Sequence, residues 1–205
     1  MNTINKEVPE LLMCDSKYLY NGAKGLMSVS LNSDFLSRGI VTLEGVIDRC
    51  AANKFLKEMI YLSQRGDPIK IIINSDGGEV NAGLLIYDIL DGFKNDIDIY
   101  CAGRAASMAA VILAAGKPGR RHILPHSSVM IHEVLLGGGV SGSATSISKI
   151  SESIMEIRDL VNSILAKHTG KTTEEINEAT SYDNIMNAEQ AIAFGIVDDI
   201  VCSIA

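Results

Sequence analysis

Hydrophobic and polar positions change their period several times after residue 39, and each change marks an element. Residues 40–43, 69–73 and 97–101 are short apolar runs rich in Ile and Val, the pattern of strands buried in a sheet. Between them, residues from about 47 to 64 and from about 80 to 93 carry apolar positions at helical spacing. This alternation predicts right-handed β-α-β crossovers, and therefore an α/β domain with a mainly parallel sheet. Two strand-to-helix turns, 74–78 (Asn-Ser-Asp-Gly-Gly) and 102–107, fall at carboxyl ends of strands. Open α/β sheets bind ligands along that edge, where helix N-termini offer unpaired N–H groups. Taken alone, Gly77-Gly78 reads more simply as a tight turn needing positive φ.

A longer pattern follows. Ile147, Ile150, Ile154, Ile157, Val161, Ile164 and His168 are spaced 3, 4, 3, 4, 3 and 4, a narrow seam along a helix of about 25 residues and about 37 Å. Such reach exceeds a small core, and so narrow a seam suits contact with another helix better than a sheet face. The expectation is a helix that projects and packs against another subunit; the alternative is one folded back on its own core. Thr172 and Glu175 have capping-box spacing, and Asn187 and Gly195 are placed to cap a helix over 188–194, ahead of a strand over 196–201. Residues 1–38 lack clear periodicity and are read as a poorly determined arm before a single domain, 39–205, with regular structure beginning near Gly39.

Composition narrows the function. At 205 residues and 47% hydrophobic content, the chain can bury one sizeable core. A net charge of −7 argues against a nucleic-acid surface; Lys117, Arg120 and Arg121 form the densest basic patch and read as a solvated turn. Residues 1–20 lack the pattern of a secretory signal, and the longest apolar run, 105–116, is too short to span a bilayer. Cys14, Cys50, Cys101 and Cys202 are scattered without metal-ligand or disulfide spacing. A soluble cytoplasmic protein with reduced thiols, no metal and no cofactor is the expectation.

Candidate chemistry centres on Ser107, ringed by small residues where a strand becomes a helix. A serine hydroxyl needs an imidazole as base and a third group to fix that imidazole's tautomer. Of the four histidines, His122 and His126 sit in turn-like surroundings and His168 falls on the long helix. His132, closing the run Val129-Met130-Ile131, is best placed to reach a sheet-edge site. Asp183, shortly before the helix capped by Asn187, completes a candidate triad. Each residue also has a plain structural reading: a small residue in a crowded junction, a strand-end histidine, a turn-forming aspartate. Spacing alone leaves both readings open.

Several motifs in unbroken order change the weighting. Gly103-Arg-Ala-Ala-Ser-Met108, Val129-Met-Ile-His132 with Pro125 upstream, Leu165-Ala-Lys-His-Thr-Gly170, Tyr182-Asp-Asn184, Ala188-Glu189 and Phe194-Gly-Ile-Val-Asp198 together resemble the proteolytic subunits of Clp proteases, the ClpP family, from about Arg38 to Val201. The resemblance implies a ClpP/crotonase-type β-α-β superhelical core with a projecting long helix, the handle, at about 134–168. It implies a serine endopeptidase with Ser107 as nucleophile, His132 as general base and Asp183 as orienting carboxylate. It further implies an oxyanion hole from the N–H groups of Gly78 and Met108, and Gly137, Gly138 and Gly139 as part of a strand that pairs with substrate backbone. Two stacked seven-subunit rings would enclose the sites, and an AAA+ ATPase would feed in unfolded proteins.

The chain departs from the family pattern in places. Ser75-Asp76-Gly77-Gly78 puts a carboxylate where relatives have proline, and Ser181-Tyr182 stands where they carry an acid and an arginine that tie the rings together. Positions resembling the aromatic ATPase-docking pocket read Lys70, Ile72 and Gly92. The interval from His132 to Asp183 is slightly longer than usual, through residues 135–140. Two alternatives share the fold: a crotonase-like acyl-CoA enzyme, and a non-catalytic ring subunit or one dependent on a hetero-oligomer with a paralogue.

Overall fold

In the computed structural model, which describes residues 17–22, 25–138 and 141–204, an antiparallel hairpin comes first. It comprises β1 (Lys17–Gly22) and β2 (Gly25–Ser30), and leads into helix α1 (Leu31–Ser37), capped by the Ser30 hydroxyl. Regular structure thus begins well before Gly39. Tyr18, Tyr20 and Val29 are good strand formers, but in runs too short to register as periodic. Residues 1–16 of the expected arm lie outside the described residues.

Three parallel strands form the spine: β3 (Ile40–Ile47), β4 (Ile69–Gly78) and β5 (Ile97–Ala106). Their burial alternates, so that Val41 and Leu43, Ile69, Ile71 and Ile73, and Ile97, Ile99 and Cys101 face one way and are buried. That face is covered by α2 (Arg49–Ser63), α3 (Val80–Gly92) and α4 (Met108–Ala114). All seven residues of α4 are buried, which is why it is apolar on every side rather than along a stripe. The opposite face of the sheet, with Lys70, Ile72, Asp98 and Tyr100, is only half-buried.

Along its other edge β5 takes two short strands in tandem. β6 (Arg121–Ile123) pairs with 99–101 and β7 (Ser128–Ile131) with 104–106. Both β4 and β5 run five residues past the ends the sequence suggests, so 74–78 and 102–106 are strand rather than turn. Register shifts between Glu44 and Val46 and between Ile73 and Ser75 make this possible. The buried Ser75 hydroxyl donates to the Gly45 carbonyl and accepts from Gly77 N–H, replacing ladder bonds lost at the bulge.

The seam described above becomes α5 (Ala144–Thr169), 26 residues, and therefore about 39 Å long. Val161, Ile164 and Leu165 are buried at its base, whereas Ile147 and Ile150 near its start are 43% and 36% exposed. The helix stands off the core instead of folding back onto it. Both expected caps downstream are present: Thr172 and Glu175 on α6 (Thr173–Thr180), and Asn187 and Gly195 on α7 (Ala188–Phe194). Between them β8 (Asn184–Met186) pairs antiparallel with β7. The final strand, β9 (Asp199–Ile200), is shorter than the expected 196–201 and pairs with β6. No helix among the described residues is long and apolar enough to cross a membrane.

Arg121 corrects the reading of a solvated basic turn. It is 6% exposed, and its guanidinium donates to the Asp198 carboxylate and to the carbonyls of Ala114, His168 and Gly195. It therefore ties together the ends of α4, α5 and α7. Burial pushes the Asp198 carboxyl up, but hydrogen bonds and charge from Arg121 outweigh this and hold it below its ordinary range. His122 is likewise a strand residue rather than a turn residue, stacked on Tyr100 and flanked by Asp98 and Asp199.

Candidate active site

The junction of β5 and α4 is the most constrained backbone in the chain. Ser107 there has φ 56° and ψ −126°, and it is the non-glycine residue with positive φ among the described residues. Such a conformation costs about 1–3 kcal/mol and persists only where its surroundings enforce it. Here Ser107 N–H donates to the Met130 carbonyl at 2.8 Å, and the Ser107 carbonyl accepts from Ala110 and Val111 N–H. Gly77 presses on the turn from β4: a Cβ there would lie 2.6 Å from the Ala106 carbonyl oxygen and 2.7 Å from Ser107 Cβ. On the other side Gly83 admits the Met108 side chain. Small residues in 103–107 are thus a packing requirement, and the turn lifts the serine hydroxyl out of the sheet edge in the manner of a nucleophile elbow.

His132 follows β7 and places Nε2 2.9 Å from Ser107 Oγ. If the hydroxyl donates in this bond, the ring proton sits on Nδ1. The other histidines lie elsewhere. His122 belongs to the Asp98/Asp199 cluster, and His168 Nε2 meets the Tyr87 hydroxyl at 3.2 Å; burial, then the charge of Lys167, pushes the His168 ring below its ordinary value.

Asp183 is placed by strand register. β7 and β8 pair Val129 with Met186, Met130 with Ile185 and Ile131 with Asn184; His132 and Asp183 are the next residues beyond the end of that ladder. Opposed residues in an antiparallel pair send side chains to one face, with Cβ atoms about 4.5–5.5 Å apart. Yet Asp183 is exposed, and among the described residues no hydrogen bond or ion pair joins it to His132. The fold aligns the two residues without closing the contact.

The serine and histidine open into a cleft of about 370 Å³. Val80, Val111, Val161 and Leu165 contribute its apolar lining, and Gly78, Met108 and Asp76 also border it. Met108 begins α4, so its N–H has no acceptor within the helix. Glu79 N–H donates to the Ile47 carbonyl on the β3 side, and Gly78, the last residue of β4, borders the cleft together with Ser107. Residues 132–138 pass the cleft with neither helix nor strand, and include the exposed Gly137 and Gly138. Gly139 lies outside the described residues.

A family model described as Clp protease matches residues 23–203. The chain belongs to the Clp protease family. Membership accounts for the mainly parallel sheet and the seven helices among the described residues, and the family's general activity is that of a peptidase, serine-type as a rule. Clp proteases generally assemble as ring oligomers that work with Clp ATPases.

The sequence gives several cleft residues only as members of a seam or motif, without assigning them to the cleft. Val161 and Leu165 lie on the base of α5, and only the 3.6-residue period, followed to its buried end, points to them. Arg104, inside the Gly103–Met108 motif, places Nε 3.1 Å from Asp76 Oδ1, and no local pattern announces that pairing. Cys101, on β5 ahead of the elbow, is fully buried, and burial pushes its thiol up to about 12, which keeps it protonated and inert.

Proposed function

We propose that this chain is a serine endopeptidase in which Ser107 attacks the peptide carbonyl, His132 acts as general base and then general acid, and Asp183 orients the imidazole. The observation that carries the reading is the 2.9 Å contact between His132 Nε2 and Ser107 Oγ on a strained elbow. Attack forms the Oγ–C bond while the hydroxyl proton moves to Nε2. The carbonyl oxygen, now anionic, is held by Gly78 and Met108 N–H groups, an arrangement worth several kcal/mol in the transition state, roughly 3–4 per donor. His132 passes the proton to the leaving amine as the C–N bond breaks. Water then attacks the acyl-enzyme with His132 again accepting a proton, and Ser107 is restored.

The apolar cleft wall would hold a side chain beside the scissile bond. Gly137 and Gly138, which lie outside any strand among the described residues, would together with Gly139 pair with the extended substrate backbone and give broad specificity. The exposed start of α5 supports packing against a second ring, so that two stacked seven-subunit rings enclose the sites and an AAA+ ATPase supplies unfolded polypeptides.

A serine-directed β-lactone or phosphonate tests the reading. Covalent labelling of the wild type at Ser107, lost in Ser107→Ala, is expected alongside cleavage of a short fluorogenic peptide. Acyl-CoA binding without labelling would favour the crotonase-like alternative. The open Asp183–His132 contact favours a second reading, in which the site is completed only on assembly, alone or with a paralogue; labelling by assembled protein but not by protomers separated by dilution is its expected signature.

A further inference from the structure

Asp76, immediately before Gly77-Gly78, brings a carboxylate to the lip of the cleft. It borders the same space as Gly78, Ser107 and Met108, and its side chain is 82% exposed. A negative charge beside amides that must hold a developing anion works against them. The adjacent strand supplies a counter-charge: Arg104, three residues before Ser107 on β5, has Nε 3.1 Å from Asp76 Oδ1. That nitrogen is buried, and among the described residues no hydrogen bond satisfies it, so the carboxylate is met by proximity rather than by a directed bond. An ion pair this exposed contributes little to fold stability. Its field at the neighbouring amides is the larger consequence, and it strengthens once substrate covers the lip and excludes water.

We propose that Arg104 is a positioning residue for peptide hydrolysis: it holds the Asp76 carboxylate outward and cancels its charge, so that a site with an acid at its lip still stabilises an oxyanion. This rests on the peptidase reading above. The arrangement follows from two side chains on neighbouring strands: β4 ends at Gly78, and β5 leads directly into Ser107 and Met108.

Steady-state cleavage of a fluorogenic peptide by the assembled wild type, Arg104→Gln, Asp76→Asn and the double variant, at low and high salt, tests it. Arg104→Gln should lower kcat about three- to tenfold with KM little changed, the scale of one uncompensated charge in partly wet surroundings. High salt should recover part of that loss by screening, and adding Asp76→Asn should recover most of it. Asp76→Asn alone should raise kcat, because the cation is then left unopposed. Unchanged kcat in Arg104→Gln overturns the proposal, as does a loss that neither salt nor the second substitution repairs, which would mark a packing role. A wild type that cleaves no peptide overturns the peptidase reading and this inference together, whereas an active wild type without coupling between the two positions overturns this inference alone.

Discussion

Ser107 and Asp183 are carried by elements of very different solidity. Ser107 lies between ten-residue β5 and a helix with no exposed residue, and its amide, carbonyl and Cβ all meet fixed neighbours. Asp183 precedes a three-residue edge strand, beside Tyr182 and Ile185, which are 61% and 60% exposed. Each fully buried Val, Leu or Ile side chain contributes about 1.5–3 kcal/mol, so α4 alone can offset the strain of the elbow. Nothing comparable holds 181–183. On the proposed reading, the attacking half of the site is therefore built by the protomer itself, while the proposed orienting carboxylate lies on an exposed edge. Strain can be stored only where packing over-determines it, which is why it sits at Ser107.

Substitutions on the two sides should differ accordingly. His132→Ala removes the partner of a contact already made and should lower kcat by roughly 10³-fold or more, the scale seen when a triad base is lost, with the melting temperature little changed. Asp183→Asn should cost less than loss of the base, by about 10- to 100-fold, the margin seen when the orienting aspartate rather than the histidine of a triad is removed. Peptide cleavage by both variants, measured on assembled protein, checks the ratio. Equal losses would mean that Asp183 is engaged as firmly as His132 and would dissolve the contrast between the two sides.

The same contrast explains what could be read from the chain and what could not. Runs of Ile at 69–73 and 97–101 announce strands because burial on a sheet demands them, and the α5 seam announces its helix by period. Their extensions through Asn74–Gly78 and Ala102–Ala106 have poor strand formers; a register shift and the Ser75 hydroxyl bind the first to β3, and pairing with β7 holds the second. Arg121 looks like a surface residue until Asp198, far along the chain, and three helix-end carbonyls are brought around it. His132 and Asp183 come to one end of a ladder through pairing of segments some fifty residues apart, a relation no local pattern contains. Family resemblance pointed to both, and the pairing of β7 with β8 supplies the physical reason they lie at the same end of that ladder, though no contact joins them. The charge balance between Asp76 and Arg104 had no such pointer: the sequence shows the acid beside two glycines, but not the base on the next strand.

The smallest expected effect concerns the support behind the fixed side. Val161 and Leu165 reach the cleft from the base of α5, and the last turn of that helix is docked through His168 on Tyr87, with Lys167, Asp91 and Arg121 as charged neighbours. Burial first, and Lys167 second, lowers the His168 pKa below its ordinary 6.5. A lowered folded-state value means that the unfolded chain binds the proton more readily. Stability from this group is therefore fully present above pH about 6.5 and falls as pH drops through the folded-state value. Thermal unfolding should show a decline in melting temperature between pH about 7.5 and about 5.5 that is shallower in His168→Gln, since the glutamine cannot titrate. The variant should start lower at neutral pH because the Tyr87 contact is weakened, so the two curves converge on acidification. Parallel curves would show that the docking of α5 is indifferent to this proton, and that the fixed side owes its firmness to Arg121 and apolar packing alone.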